Sequence, residues 1–169
     1  MTPCPHTPDP ADRPGPPFSF LIVDDSAVMR AMIARTLRLS GLPLADIVEA
    51  ADGAAGLEAL WRAPVDIALV DLNMPIMNGE ELIDRLRAEP EFARLPVVVI
   101  STEGSVTRIR ALEAKGVTFV HKPFTPETLR DTILSVVSYT PDGPLAGHEN
   151  PDATQLPAGA APSGGDLDF

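Results

Sequence analysis

The chain alternates two patterns: short, almost wholly apolar runs, and longer stretches whose apolar residues return every three or four positions. Runs of the first kind, bounded by Pro, Gly or Asp, predict strands buried on both faces. The second kind predicts amphipathic helices. The apolar runs are Phe18–Val23, Ile47–Ala50, Ile67–Val70, Val97–Ile100 and Val117–Val120. Each is followed by a helical stretch with its own start and stop signals.

Ser26 is placed to cap a helix over 27–39, with Met29, Met32, Ile33 and Leu37 as its inward stripe and Ser40-Gly41 as its stop. Asp52-Gly53 opens a helix over 54–62 that turns Leu57, Leu60 and Trp61 inward before Pro64. Asn78-Gly79 opens a third, burying Leu82, Ile83 and Leu86 and ending at Pro90. A fourth, over 106–115, has thin apolar content in Val106, Ile109 and Leu112. Thr125 at the cap and Pro126 at the first helical position begin the last, which carries Leu129, Ile133, Leu134 and Val137 inward. Strand and helix alternating in this way predict an α/β protein with a doubly wound parallel sheet and right-handed crossovers. The second strand is expected at an edge. In such sheets a ligand site lies beyond the carboxyl ends of the strands.

Composition sets the limits of the domain. Of the 19 prolines, 12 fall in residues 1–17 and 141–169. Those segments are Pro-, Gly- and Ala-rich and poor in apolar residues, so they are expected to be disordered tails at 1–17 and 140–169 around a domain of 18–139. The formal net charge of −11 argues against general nucleic-acid binding. Half of the excess lies in the tails, because residues 18–139 carry 17 acids and 12 bases. The single cysteine, Cys4, offers no disulfide, and His6, His121 and His148 are too scattered to suggest a metal site. No apolar run approaches a membrane span and no secretory signal is evident, so a cytoplasmic location is expected.

The polar residues at the strand ends carry the chemistry. Asp24 and Asp25 follow the first strand, Asp71 the third, Ser101 and Thr102 the fourth and Lys122 the fifth. A lone Asp at a strand end is usually a turn residue. Three from two strands would repel one another unless a cation joined them or protons were taken up. Clustered oxygen ligands without His or Cys suit Mg²⁺. With a lysine and a hydroxyl added, these are the parts for holding a phosphoryl group, one Asp serving as nucleophile.

The motifs LIVDDS at 21–26, LVDLNMP at 69–75, VVIST at 98–102 and HKPF at 121–124 resemble the receiver domain of two-component response regulators. The resemblance spans 18–139 and is nearest to the single-domain chemotaxis type. It implies a flavodoxin-like sheet of strand order 2-1-3-4-5. It also implies that Asp71 is the phospho-acceptor and that Asp24, Asp25, Asp71 and the backbone carbonyl of Asn73 hold Mg²⁺. Ser101, with Thr102 beside it, and Lys122 would contact the phosphoryl group, and Phe119 would occupy the aromatic switch position. Asn73 and Glu103 match positions that tune dephosphorylation, and Pro123 would hold its loop through a cis peptide bond. Thr102 departs from the smaller residue often found there, which should narrow access to Asp71.

By the same resemblance, the donor is a sensor histidine kinase. The reader is a protein such as a flagellar switch component, or a histidine phosphotransfer protein if the chain is a relay intermediate. A monomer that is not a turnover enzyme is expected, with output through binding because no effector-domain pattern follows residue 139. An aspartate-dependent phosphatase would need a second Asp at position 73, where this chain has Asn. A receiver that is never phosphorylated and serves only as an interaction module is a further alternative. The stretch Asp166-Leu167-Asp168-Phe169 reads as a solubilising end or as a short docking motif.

Overall fold

A computed structural model describes residues 17–138. The elements alternate throughout: β1 Phe18–Val23, α1 Ala27–Leu39, β2 Leu44–Ala50, α2 Gly53–Arg62, β3 Ile67–Val70, α3 Gly79–Ala88, β4 Val97–Ser101, α4 Val106–Glu113, β5 Thr118–His121 and α5 Pro126–Ser138. The strands form one parallel sheet in the order β2-β1-β3-β4-β5, as expected. The Pro-rich segments lie outside the described residues, apart from Pro17.

Strand periodicity divides the core in two. Phe20, Ile22, Ile67, Leu69, Val98, Ile100 and Val120 face α1 and α5, where Ile33, Leu37, Leu129 and Ile133 meet them. Their neighbours Leu21, Val23, Ala68, Val70, Val97 and Val99 face α2, α3 and α4, against Leu60, Leu82, Ile83, Leu86 and Leu112. Both faces of the central strands are therefore covered, which is why their sequences are continuously apolar.

The helix starts follow the sequence signals. Ser26 Oγ accepts from the Met29 amide at 3.3 Å, and Asp52 Oδ1 accepts from Ala55 at 2.8 Å. At α3, Asn78 and Glu81 form a reciprocal capping box. Thr125 Oγ1 accepts from the Thr128 amide at 3.2 Å, as a cap residue should.

Four residues expected inward are exposed: Met32, Trp61, Val106 and Leu134. Met32 and Leu134 sit on the shoulders of stripes narrower than the sequence suggested; Met29, Ile33 and Leu37, spaced by four, make the contact of α1. Trp61 turns away from the sheet and packs edge-on against Phe92, with ring centroids 4.7 Å apart. Val106 is the first residue of α4, beyond the reach of the core, and Leu112 is the only buried residue of that helix. Element limits shift as well. Strand β2 begins at Leu44 because Phe18 pairs with that residue, and β5 runs one residue past Val120 as Ser101 pairs with His121.

Candidate functional site

The order β2-β1-β3 makes the chain leave β1 in one direction and return past it in the other. The carboxyl ends of β1 and β3 therefore flank the switch point of the sheet. The Asp71 amide donates to the Val23 carbonyl at 2.9 Å, so the two strand ends are locked level. This brings Asp24, Asp25 and Asp71 together, with a ligand oxygen of each within 4.8 Å of the others. Asp24 is 2% exposed and Asp71 9%, while Asp25 is open to solvent. Asp24 Oδ1 also accepts from the Ser26 amide at 2.9 Å, which fixes its side chain to the start of α1.

Lys122 arrives from the far side. Its amide donates to the Ser101 carbonyl at 3.0 Å, and its Nζ lies 3.5 Å from both Asp24 Oδ2 and Asp71 Oδ1. The Lys122–Pro123 peptide bond is cis. Like charges within 4.8 Å of one another repel by about 3 kcal/mol or more per pair at an effective dielectric near 20. One ammonium against three carboxylates still leaves the cluster with a net negative charge. Burial, the largest influence, pushes the Asp71 carboxyl above its ordinary value; Lys122 pulls it down and Asp24 pushes it up again.

The donor set fits a hard divalent cation. Octahedral Mg²⁺ at ~2.1 Å from each ligand holds ligand oxygens roughly 3–4 Å apart, so small side-chain rotations would close the present spread around one ion. Asp24, Asp25 and Asp71 would hold it, with Asn73 close by in the same loop.

The remaining expected residues cluster at the same edge with less contact. Ser101 is 1% exposed, and its Oγ accepts from the Glu103 amide at 3.3 Å. Thr102 is exposed. Phe119 is half-buried against the α2–α3–α4 side of the core, with its ring centroid 4.7 Å from that of His121. Asn73 lines an open hollow of about 390 Å³ beside Asp25, Pro75, Asn78 and Arg108.

Three features of the site escaped the sequence reading. Arg108, from the first turn of α4, pairs with both Glu80 of α3 and Glu103 of the β4–α4 loop and so bridges two helices at the rim of the hollow. Glu103, which also accepts from the Ser105 amide at 2.8 Å, titrates below its ordinary value as a result, the Ser105 hydrogen bond contributing most. Gly79 lies so close beneath Asp71 that an added Cβ would stand 2.3 Å from the Asp71 carbonyl oxygen. Ile76 has φ 68°, at the centre of a three-residue turn in which the Met77 amide donates to the Pro75 carbonyl at 2.7 Å. A β-branched residue in that region is strained. The LNMP motif marked this loop but could not show its backbone.

Comparison with known proteins agrees with this geometry. The model of the response regulator receiver domain family matches residues 20–134. Chemotaxis protein CheY1 of Helicobacter pylori is 40% identical over 127 residues, covering 74% of this chain and all of that protein. CheY-3 of Vibrio cholerae is 36% identical over 117 residues, covering 69% of this chain and 88% of the relative. Among solved structures, Vibrio cholerae CheY4 superposes with a TM-score of 0.64 at 34% identity, over 72% of this chain and 99% of the other. CheY from a CheX–CheY–BeF₃–Mg²⁺ complex of Borrelia burgdorferi gives 0.64 at 27% identity, over 72% and 90%. The chain belongs to the response regulator receiver family. Within it, the chain is a receiver of the chemotaxis regulator type.

Proposed function

We propose that the chain is a phosphorylation-switched response regulator whose acceptor is Asp71. The observation that carries this is the meeting of three carboxylates within 4.8 Å of one another with the Lys122 ammonium 3.5 Å from Asp71. In this reading an Asp71 oxygen attacks the phosphorus of a phosphohistidine on a sensor kinase. The P–N bond breaks, its electron pair stays on the imidazole, and an acyl phosphate forms on Asp71. Bound Mg²⁺ would supply charge neutralisation at the transferring oxygens. The Borrelia burgdorferi relative, crystallised with Mg²⁺ and BeF₃, supports this reading.

Lys122 then stands beside the new phosphoryl group as a fixed cation, and the Ser101 hydroxyl turns from the Glu103 amide to donate to a phosphoryl oxygen. The half-buried Phe119 moves into the space left by Ser101. The change is read on the face of α4, β5 and α5 by a motility-type partner such as a flagellar switch component. Attack by water on phosphorus returns the Asp71 carboxylate and resets the switch, with Asn73 and Glu103 at the rim tuning that step.

Asp71→Asn should keep the fold and take up no label from a phosphorylated kinase or from acetyl phosphate on Phos-tag gels. Wild-type labelling of that variant would sink the assignment. Transfer onward to a histidine phosphotransfer protein, with no phosphorylation-dependent binding of a switch protein, would instead assign the chain to a relay.

A further inference from the structure

The hollow of about 390 Å³ beside Asp25 and Asn73 is bordered by the loop after β3 and by the first turn of α4. Arg108 is the cation among its described lining residues. Its amide donates to the capping Ser105 Oγ at 3.4 Å, which fixes its backbone. Its guanidinium joins two elements: Nε pairs with Glu80, the second residue of α3, and Nη1 with Glu103, just past β4. Glu80 follows Gly79, whose amide donates to the Leu72 carbonyl at 3.0 Å. The Glu103 amide donates to Ser101 Oγ at 3.3 Å, and its Oε1 accepts from the Ser105 amide at 2.8 Å. Both carboxylates are thus tied to backbone next to Asp71 or Ser101.

Formal charge shows what that bridge contributes. With every group ionised, Glu80, Glu103 and the Arg108 guanidinium sum to −1. Asp24, Asp25 and Asp71 with the Lys122 ammonium sum to −2. A phosphodonor is itself an anion and has to bring its phosphoryl group to Asp71 through this field. With one carboxylate on Nε and another on Nη1, the guanidinium is committed to neutralisation and not to clamping phosphate. Without it the rim pair would stand at −2, and the Glu103 carboxylate would keep only its Ser105 amide.

We propose that Arg108 is a positioning residue for phosphoryl transfer, which holds and neutralises Glu80 and Glu103 beside the hollow so that an anionic phosphodonor can approach Asp71. The inference rests on Asp71 being the acceptor. Arg108 acts through the two glutamates, on the entry of the charged donor.

Initial rates of phosphorylation of the full chain by acetyl phosphate, with Mg²⁺ in excess at low ionic strength, test this. Arg108→Ala should be slower than the wild type by roughly three- to tenfold, the scale of one unit charge acting on a dianion in a partly solvated site. The gap should close at high salt, and Arg108→Lys should recover most of the rate. The deciding variant is Glu80→Gln/Arg108→Ala, which leaves the bridge broken but returns the rim to −1. Its rate should come back to within about twofold of the wild type, because the local charge is then matched. A double variant as slow as Arg108→Ala would overturn the proposal, since the bridge would then act through loop geometry and not charge. So would a wild-type rate in Arg108→Ala with label still confined to Asp71, an outcome that leaves the acceptor assignment standing. Label on Asp71→Asn, or none on the wild type, would remove that assignment and this inference together.

Discussion

Asp71 is held in a place that suits its charge badly. Burial raises its carboxyl above 3.8 in the folded state, so the folded chain binds that proton more tightly than the unfolded chain does. Its contribution to stability is most favourable below about pH 3.8 and is lost as the pH rises through the folded value. At neutral pH the ionised group is therefore a liability to the fold. Asp71→Asn removes that charge and should melt at a higher temperature than the wild type at pH 7 without Mg²⁺, the gap narrowing towards pH 4. A variant that melts lower at pH 7 would contradict this sign. Gly79 is constrained from the other direction. An added Cβ would press on the Asp71 carbonyl and on the Leu72 Cα at 2.9 Å, neither the far end of a flexible side chain. Gly79→Ala should cost about 1–3 kcal/mol by chemical denaturation and should slow labelling of Asp71 by displacing its backbone. Unchanged stability would mean that the loop yields more easily than its close packing suggests.

At the scale of elements, α4 is the loosely held member. Only Leu112 is buried on it, and its opening turn is fastened by Arg108 to Glu80 and Glu103. These ion pairs are about a third exposed on the arginine, so they contribute at most ~1 kcal/mol to global stability. Their larger effect is local. Arg108→Ala should leave the denaturation midpoint nearly unchanged and speed amide hydrogen exchange in α4 relative to α3. Equal protection in both proteins would show that the bridge does not restrain the helix. The contrast between helices also explains what the sequence could convey. Strands β1, β3 and β4 were legible because burial on both faces leaves a continuous apolar run in each, Phe20–Val23, Ile67–Val70 and Val97–Ile100, and the caps at Ser26, Asp52, Asn78 and Thr125 were legible because each is a local hydrogen bond. Trp61 and Val106 were misread as inward. Whether a large apolar residue faces the sheet or a neighbouring loop is decided by partners such as Phe92, far along the chain. The Arg108 bridge joins residues 28 positions apart from Glu80, and no periodicity carries that information.

At the scale of the whole molecule, the strand order turns separated carboxylates into a site. Asp24 and Asp71 stand 47 positions apart in the sequence, and only the outward-and-back winding from β1 sets them at neighbouring strand ends. The site's composition could therefore be read from strand ends, whereas the sharing of Lys122 between Asp24 and Asp71 at 3.5 Å could not. The acidic cluster is left under-neutralised by that single ammonium, so a divalent cation held there would stabilise the folded state. A ligand that binds only the folded state adds about 2.7 kcal/mol at a hundredfold excess over its Kd, roughly 10 °C for a domain of this size. Mg²⁺ should raise the melting temperature of the wild type on that scale, with the gain saturating as the site fills. Asp24→Asn and Asp71→Asn should each blunt the gain by removing one ligand charge. The gain should also shrink on acidification earlier than for ordinary carboxylates, since protons compete for the raised Asp71 group. Monovalent salt at matched ionic strength is the control, because screening alone would relieve the repulsion among the carboxylates. An equal rise with NaCl, or an undiminished Mg²⁺ response in both variants, would place the cation elsewhere and separate the acidic cluster from any role in metal binding.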